Sequence, residues 1–249
     1  MSNQNSHTIS DLLKTRNARF KGKSGDVELA RKREQLTRMI EDNYPAFEPV
    51  RDLLLKRNKN WQEVEQSLCE HGSALREEIR RHGMCSEHPD GGYHVDAHAK
   101  RYLGGGWLEE LAWLAAMEAG ADEAVFAQTI GWHAQGYHGQ NEIDLIVRKG
   151  GRLGFTSCKA VGSEFNSDSR KHRNRLMDAL HEADNLADHF GVEGDRVAIL
   201  VTADLIDELR NQPRYMSLMG KAAVLDVRII PLEELGWEKL VSAIGELLE

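Results

Sequence analysis

Asp144 lies inside the apolar run Asn141-Glu142-Ile143-Asp144-Leu145-Ile146-Val147, and Lys159 follows fifteen positions later, behind Ser157 and Cys158. A carboxylate in such a run is costly to bury unless a cation or a metal ion meets it, and a buried ammonium poses the converse problem. Adjacent strands would solve both by bringing the two together. Lys149-Gly150-Gly151 between them is a tight hairpin signal, because glycine accepts positive φ. Hydrolysing a phosphodiester needs a hard cation held by carboxylates to polarise the phosphoryl group and acidify water, with an ammonium nearby to stabilise charge or position the nucleophile. Asp144 and Lys159 meet much of that need; a structural ion pair would account for the same two residues. Glu109 or Glu110, opening a helix, offers a further carboxylate.

The elements that must position these groups run in a regular order from Gly104. A glycine triplet, Gly104-Gly105-Gly106, leads into a helix from Trp107 to about Ala119, and Gly120 stops it. Ala124 to Trp132, Asn141 to Arg148 and Arg152 to Ala160 read as strands. In Arg170 to Phe190, Leu176, Ala179, Leu180, Ala183, Leu186, Ala187 and Phe190 recur at spacings of three and four, so a long helix is expected. Arg196 to Thr202 reads as a short apolar strand, Asp204 to Arg210 as a helix, Ala223 to Ile230 as a strand, and Pro231 opens the last helix. The order α-β-β-β-α-β-α-β-α implies an α/β fold with a mixed sheet covered on both faces. Residues 1 to about 82 instead suggest charged helices over Val27 to Asn43, Phe47 to Lys56 and Trp61 to His82, with Leu36, Met39, Ile40, Phe47, Val50, Leu53 and Leu54 facing a core. Two segments follow: a charged α-helical region, 1–103, and an α/β domain, 104–249.

Gly105-Gly106-Trp107-Leu108-Glu109-Glu110, Asn141-Glu142-Ile143-Asp144 and Ser157-Cys158-Lys159, with the helix, strand and helix that follow, resemble the PD-(D/E)xK nucleases, most closely the nuclease domain of CRISPR ancillary effectors that carry a CARF sensor. The resemblance covers roughly the last 145 residues. It implies a restriction-endonuclease-like fold and a divalent-metal-dependent nuclease of DNA, or alternatively RNA, using Mg2+ or Mn2+ in defence against foreign nucleic acid. It makes Asp144 the principal metal ligand and Lys159 the catalytic lysine. Glu109, in preference to Glu110, becomes the helix carboxylate that completes the site or orients a metal-bound water.

Two departures from the family pattern matter. Its third-strand motif reads acidic-x-Lys, whereas the acidic position here is Ser157, which brings no charge to an ion. Some restriction endonucleases of this superfamily also have serine there and recruit a glutamate from the following helix; Glu182, bordering the apolar stripe, is the candidate, with Asp178 one turn earlier. Both side chains could equally face water. A catalytically inactive module that keeps the fold to bind nucleic acid or protein is the alternative to an enzyme. The second departure is the front of the chain, where charged helices stand in place of a nucleotide-sensing domain, so activation by a cyclic oligonucleotide is not carried over.

Arg170, Lys171, Arg173 and Arg175 follow the third strand and are candidates for phosphate contact, although cations at a helix N-terminus oppose its dipole. A second basic stretch, Lys14, Arg16, Arg19, Lys21 and Lys23, then Arg31, Lys32 and Arg33, reads as a phosphate-binding arm or as a solvated or disordered tail. His82, Cys85, His88, His94 and His98 offer nitrogen and sulfur ligands, but at a spacing that matches no zinc motif. His133 and His138, just ahead of Asp144, are candidates to line the site.

The 249 residues carry a formal net charge of -8, so bound nucleic acid must be met by a local basic patch against the field of the whole protein. No apolar run of about eighteen residues and no basic-then-apolar leader at Met1 is present, so a cytoplasmic protein without a membrane span is expected. Three scattered cysteines fit free thiols in a reducing compartment. A homodimer or a regulatory partner would engage the helical region.

Overall fold

A computed structural model describes residues 7–56, 61–70, 73–87, 93–134 and 136–249. The chain divides into two compact units, Met1–Asp26 with Ala112–Glu249, and Val27–Leu111.

The first unit opens with helix α1 (Ile9–Thr15) and strand β1 (Ala18–Lys21), where a basic arm or disordered tail was expected. Thr8 caps α1 reciprocally with Asp11, and Ile9 and Leu13 are fully buried. Arg16 is spent inside the fold. Its guanidinium donates to both Asp195 carboxylate oxygens and to the Phe190 carbonyl, and both partners of the ion pair are almost fully enclosed. The sequence shows only the charge of Arg16; what makes it structural is a carboxylate 179 residues away. Removing one partner of a buried pair strands the other, so Arg16→Met is expected to cost about 3 kcal/mol or more, read as a lower denaturant midpoint. A solvated arm would leave stability unchanged.

In the second unit, Val27 to Asn43 forms two helices, α2 (Val27–Lys32) and α3 (Glu34–Asp42). The break falls at Arg33, whose buried guanidinium pairs with Glu110, lies over the Tyr102 ring at 4.2 Å and meets His98 Nε2 at 3.2 Å. Helix α4 (Tyr44–Leu55) starts on Pro45 near its N-terminus, where a missing N–H costs nothing. Then come α5 (Trp61–Glu70), α6 (Ser73–Arg81), the short pair β2 (Ser86–Glu87) and β3 (Tyr93–His94), and α7 (Ala97–Arg101). A π-helical turn, Tyr102–Gly106, leads into α8 (Trp107–Glu118). Leu36, Ile40, Phe47, Val50 and Leu54 are buried as expected, while Met39 and Leu53 are half-buried.

The rest of the first unit supplies the sheet: β4 (Glu123–Ala134), β5 (Tyr137–Lys149), β6 (Arg152–Lys159), α9 (Arg170–Phe190), β7 (Arg196–Val201), the short pair β8 (Ile206–Asp207) and β9 (Gln212–Pro213), α10 (Met216–Val224), β10 (Val227–Ile230) and α11 (Trp237–Glu246). Among the described residues six strands form one mixed sheet, in the order β1-β4-β5-β6-β7-β10. Pairing is antiparallel from β1 through β6 and parallel from β6 through β10. The β5–β6 hairpin closes at Lys149↔Arg152, and Gly150 takes φ +57° there. Helix α9 keeps its expected limits, and its stripe of Leu176, Leu180, Ala183, Leu186 and Phe190 joins a core with Ile146, Phe155, Val197, Ile199 and Val201.

The expected order of helices and strands holds, but one helix is displaced. Asp204 to Arg210, expected to be helical, contributes instead to the β8–β9 hairpin. Asp204 accepts from Arg214 Nε at 2.9 Å, and Asn211 turns the chain at φ +50°. The helix is α10, and the strand expected from Ala223 is shortened to β10 because Asp226, at φ +53°, breaks the chain after Leu225.

Candidate active site

Strands β5 and β6 bring Asp144 and Ser157 side by side, one step beyond the pair Leu145↔Thr156. Asp144 Oδ2 accepts the Cys158 N–H at 2.7 Å and the Ser157 hydroxyl at 3.2 Å. Two residues further along β6, Lys159 Nζ meets Glu182 Oε2 of α9 at 2.6 Å. Asp144, Ser157, Lys159 and Glu182 are thus gathered in one unit at the end of one hairpin. The ion pair considered from sequence, Asp144 with Lys159, takes a different form: the ammonium bonds Glu182 and acts on Asp144 through its field.

Burial holds the Asp144 carboxyl above the ordinary aspartate range, against the opposing pulls of the Cys158 N–H, the Lys159 ammonium and the Ser157 hydroxyl. Burial also works against the Lys159 charge, but Glu182 and Asp144 outweigh it and its pKa rises. Lys159 is therefore a fixed cation rather than a proton acceptor, which suits it to stabilising developing negative charge.

Two supports escape a reading of the sequence. Thr202, fully buried, accepts the Val161 N–H at 2.8 Å and donates to the Val161 carbonyl at 2.7 Å, while its own N–H reaches the Lys159 carbonyl at 3.3 Å. It pins the chain on the far side of Lys159; the hint was a hydroxyl ending an apolar strand. On the other flank, Ala127 of β4 adopts φ +48°, and the β4–β5 register passes from Phe126↔Leu145 to Gln128↔Ile143, leaving out Ala127 and Asp144. A left-handed alanine inside a strand is strained backbone beside the carboxylate.

Glu109 and Glu110 lie on the first turn of α8 in the other unit. Glu110 is committed to Arg33 and buried; Glu109 lies 3.9 Å from Arg101. Of the zinc candidates, His88 lies outside the described residues, His82 meets Glu78 at 3.4 Å, and His98 meets Arg33. Burial pushes the Cys85 thiol up to about 12, which disfavours a thiolate ligand. Among the described residues no three His, Cys, Asp or Glu side chains are gathered around one point as ligands of a single ion.

The donors beside Lys159 are nonetheless of the right kind for magnesium. Asp144 and Glu182 are hard oxygen donors, and Mg2+ is commonly held by one or two carboxylates while keeping several waters and taking the rest of its shell from substrate phosphate. Ser157 adds no charge, because its hydroxyl is neutral, and it donates to Asp144.

Arg170, Lys171 and Arg175 are exposed on the first turns of α9, whose N-cap Ser169 accepts from His172 N; Arg173 is tied to the Ser167 carbonyl at 2.5 Å. A second basic surface lies along β1 and the β4–β5 turn. A groove of about 720 Å³ is lined by Lys14, Arg19, Lys21, Trp132, His133 and His138 among others. The two histidines stand opposite one another across β4 and β5, ring centres 4.5 Å apart, and line this groove, among whose lining residues Asp144 does not appear.

No protein-family model and no curated protein sequence matches the chain. Solved structures do. Protein VC1899 from Vibrio cholerae superposes with a TM-score of 0.68 at 16% identity, over 96% of this chain and 60% of that one. Can2 from Sulfobacillus thermosulfidooxidans, in complex with cyclic tetra-adenylate, superposes at 0.59 with 10% identity, over 97% of this chain and 61% of its own. The chain thus spans about three fifths of each, and at these identities the likeness shows the fold: a mixed sheet flanked by helices.

Proposed function

We propose that this chain is a divalent-metal-dependent nuclease that hydrolyses phosphodiester bonds of DNA, or alternatively RNA, in defence against foreign nucleic acid. The observation that carries the reading is the carboxylate of Asp144, held by Cys158 N–H and Ser157 Oγ beside a lysine that Glu182 keeps charged. Asp144 and Glu182 would hold the Mg2+ or Mn2+ ion, which when bound polarises the phosphoryl group and lowers the pKa of its water. Lys159 contributes a permanent positive charge toward the phosphate oxygens. Cys158 N–H fixes the direction in which Asp144 presents its carboxylate, and Thr202 fixes the chain that carries Lys159. The defence role rests on the resemblance to CRISPR ancillary effectors, and a fold shared with a protein captured on cyclic tetra-adenylate is compatible with it.

The test incubates plasmid, single-stranded DNA and RNA with the protein in Mg2+ or Mn2+, beside Asp144→Ala. Cleavage that the variant lacks supports the enzyme. Because Ser157 brings no charge, a second reading stands beside the first: a nuclease-fold module that binds without turnover. Retained gel-shift binding with no cleavage under either ion would establish that reading instead.

Substrate grip is expected from the exposed cations of α9. Alanine at Arg170, Lys171 and Arg175 should weaken binding of all sequences alike and flatten the salt dependence, each lost phosphate contact lowering the log–log slope by about 0.7–0.9. Unchanged slope in an anisotropy titration would remove these residues from the interface.

A further inference from the structure

A cavity of about 100 Å³ opens between the segment that follows Lys159 and the first turns of α9. Its apolar lining includes Val161, Leu176 and Ala203, all buried. Phe165 forms part of the wall and is itself held in place, stacked on Tyr215 at 5.5 Å and 20° and flanked by His172 at 6.4 Å. Lys171 and Arg175, two of the candidate phosphate contacts, line the same cavity, as does the exposed carboxylate of Glu164. Val161 is two residues beyond Lys159, at most about 7 Å along the chain, and both ends of that step are pinned by Thr202.

We propose that this cavity receives one unpaired nucleobase of a single-stranded substrate, the base of a nucleotide next to the phosphate held at Lys159. The inference rests on the nuclease reading above and deepens it. A planar base offers a face to Phe165 and the apolar wall, an edge whose N–H groups Glu164 can accept, and flanking phosphates for Lys171 and Arg175. The cavity suits a single ring system and has no room for a base pair, so a duplex must give up a pair to use it. Single-stranded nucleic acid is therefore the preferred substrate class.

The experiment measures binding by the intact chain in EDTA, so that its outcome does not depend on cleavage. The probes are short fluorescent single-stranded oligonucleotides, the duplex of the same sequence, and a series carrying one abasic position. Single strands are expected to bind at least tenfold tighter than the duplex, and an abasic nucleotide at one position to weaken binding about tenfold. Phe165→Leu, which keeps an apolar side chain but removes the aromatic face, should lose about tenfold on intact strands and nothing further on that abasic strand. Ala203→Met, which fills the cavity from its lining, should reproduce the loss and serves if Phe165→Leu melts early. Equal affinity for intact and abasic strands, wild-type affinity in a folded variant, or no binding of any oligonucleotide would overturn the proposal. Cleavage of single strands in Mg2+ with no abasic effect would sink the pocket and leave the nuclease; the abasic effect without cleavage would do the reverse.

Discussion

Asp144→Asn is expected to abolish cleavage, by about a thousandfold or more, while leaving the protein at least as stable as the wild type near neutral pH. The first half follows from chemistry. Removing the principal carboxylate forfeits several kcal/mol of transition-state stabilisation, and each 1.4 kcal/mol is about tenfold in rate. The second half follows from the sign of the shift at Asp144, where burial raises the pKa above its ordinary value. A folded state with the raised pKa binds the proton more tightly than the unfolded chain does. The carboxyl's contribution to stability is therefore greatest below the ordinary aspartate value and declines as pH climbs through the raised one. Asparagine cannot ionise, so it escapes that decline, and its side-chain oxygen can still accept the Cys158 N–H. Denaturant melts should show the variant gaining on the wild type between acid and neutral pH. A variant less stable at pH 7 than at pH 4, relative to wild type, would mean that ionised Asp144 supports the fold and is a structural anion.

The same raised pKa governs the catalytic pH profile. A divalent ion needs the ionised carboxylate, so the acidic limb of the cleavage profile should lie above the ordinary aspartate value and move downward as Mg2+ or Mn2+ is increased, because the ion competes with the proton.

What was legible in the sequence was what depends on local period and cost. Helix α9 keeps both expected ends: its apolar spacing of three and four runs from Leu176 to Phe190, and Ser169 caps the polar turns that precede it. The β5–β6 hairpin was legible from a glycine pair between apolar strands, but not its register, which sets Asp144 beside Ser157 where Lys159 was expected and leaves Lys159 to pair with Glu182. Illegible was whatever a distant partner decides. Arg16 and Arg33 carry the same charge as Arg19 and Lys21, yet each of the first two is buried on a carboxylate far along the chain, Asp195 and Glu110 respectively. Strand β1 was hidden because its alternation, Ala18-Arg19-Phe20-Lys21, lasts only four residues and its exposed positions are basic, so charge obscured the period. The strained Ala127 left no mark at all, since nothing in an alanine announces positive φ.

Glu182 carries the question that Ser157 opens. It is more than half exposed, so its pair with Lys159 contributes little to stability, and Glu182→Gln should leave the melting point close to wild type. If this carboxylate also substitutes for the acid missing from β6, the same variant should lose cleavage to an extent comparable with Asp144→Ala, with part of the loss recovered at high Mn2+. Loss of activity alone would not separate ion binding from the holding of Lys159. The separating experiment restores the missing acid where the family pattern has it. Ser157→Asp in the Glu182→Gln background returns a second carboxylate to the strand beside Asp144, but stands on β6 and cannot reproduce the α9 contact to Lys159. Recovery of at least tenfold in that double variant, with a lower half-saturating Mg2+ concentration, would identify Glu182 as the displaced ligand. Activity as low as in the single variant would assign it to positioning the lysine, and near-wild-type activity in Glu182→Gln itself would remove it from the site.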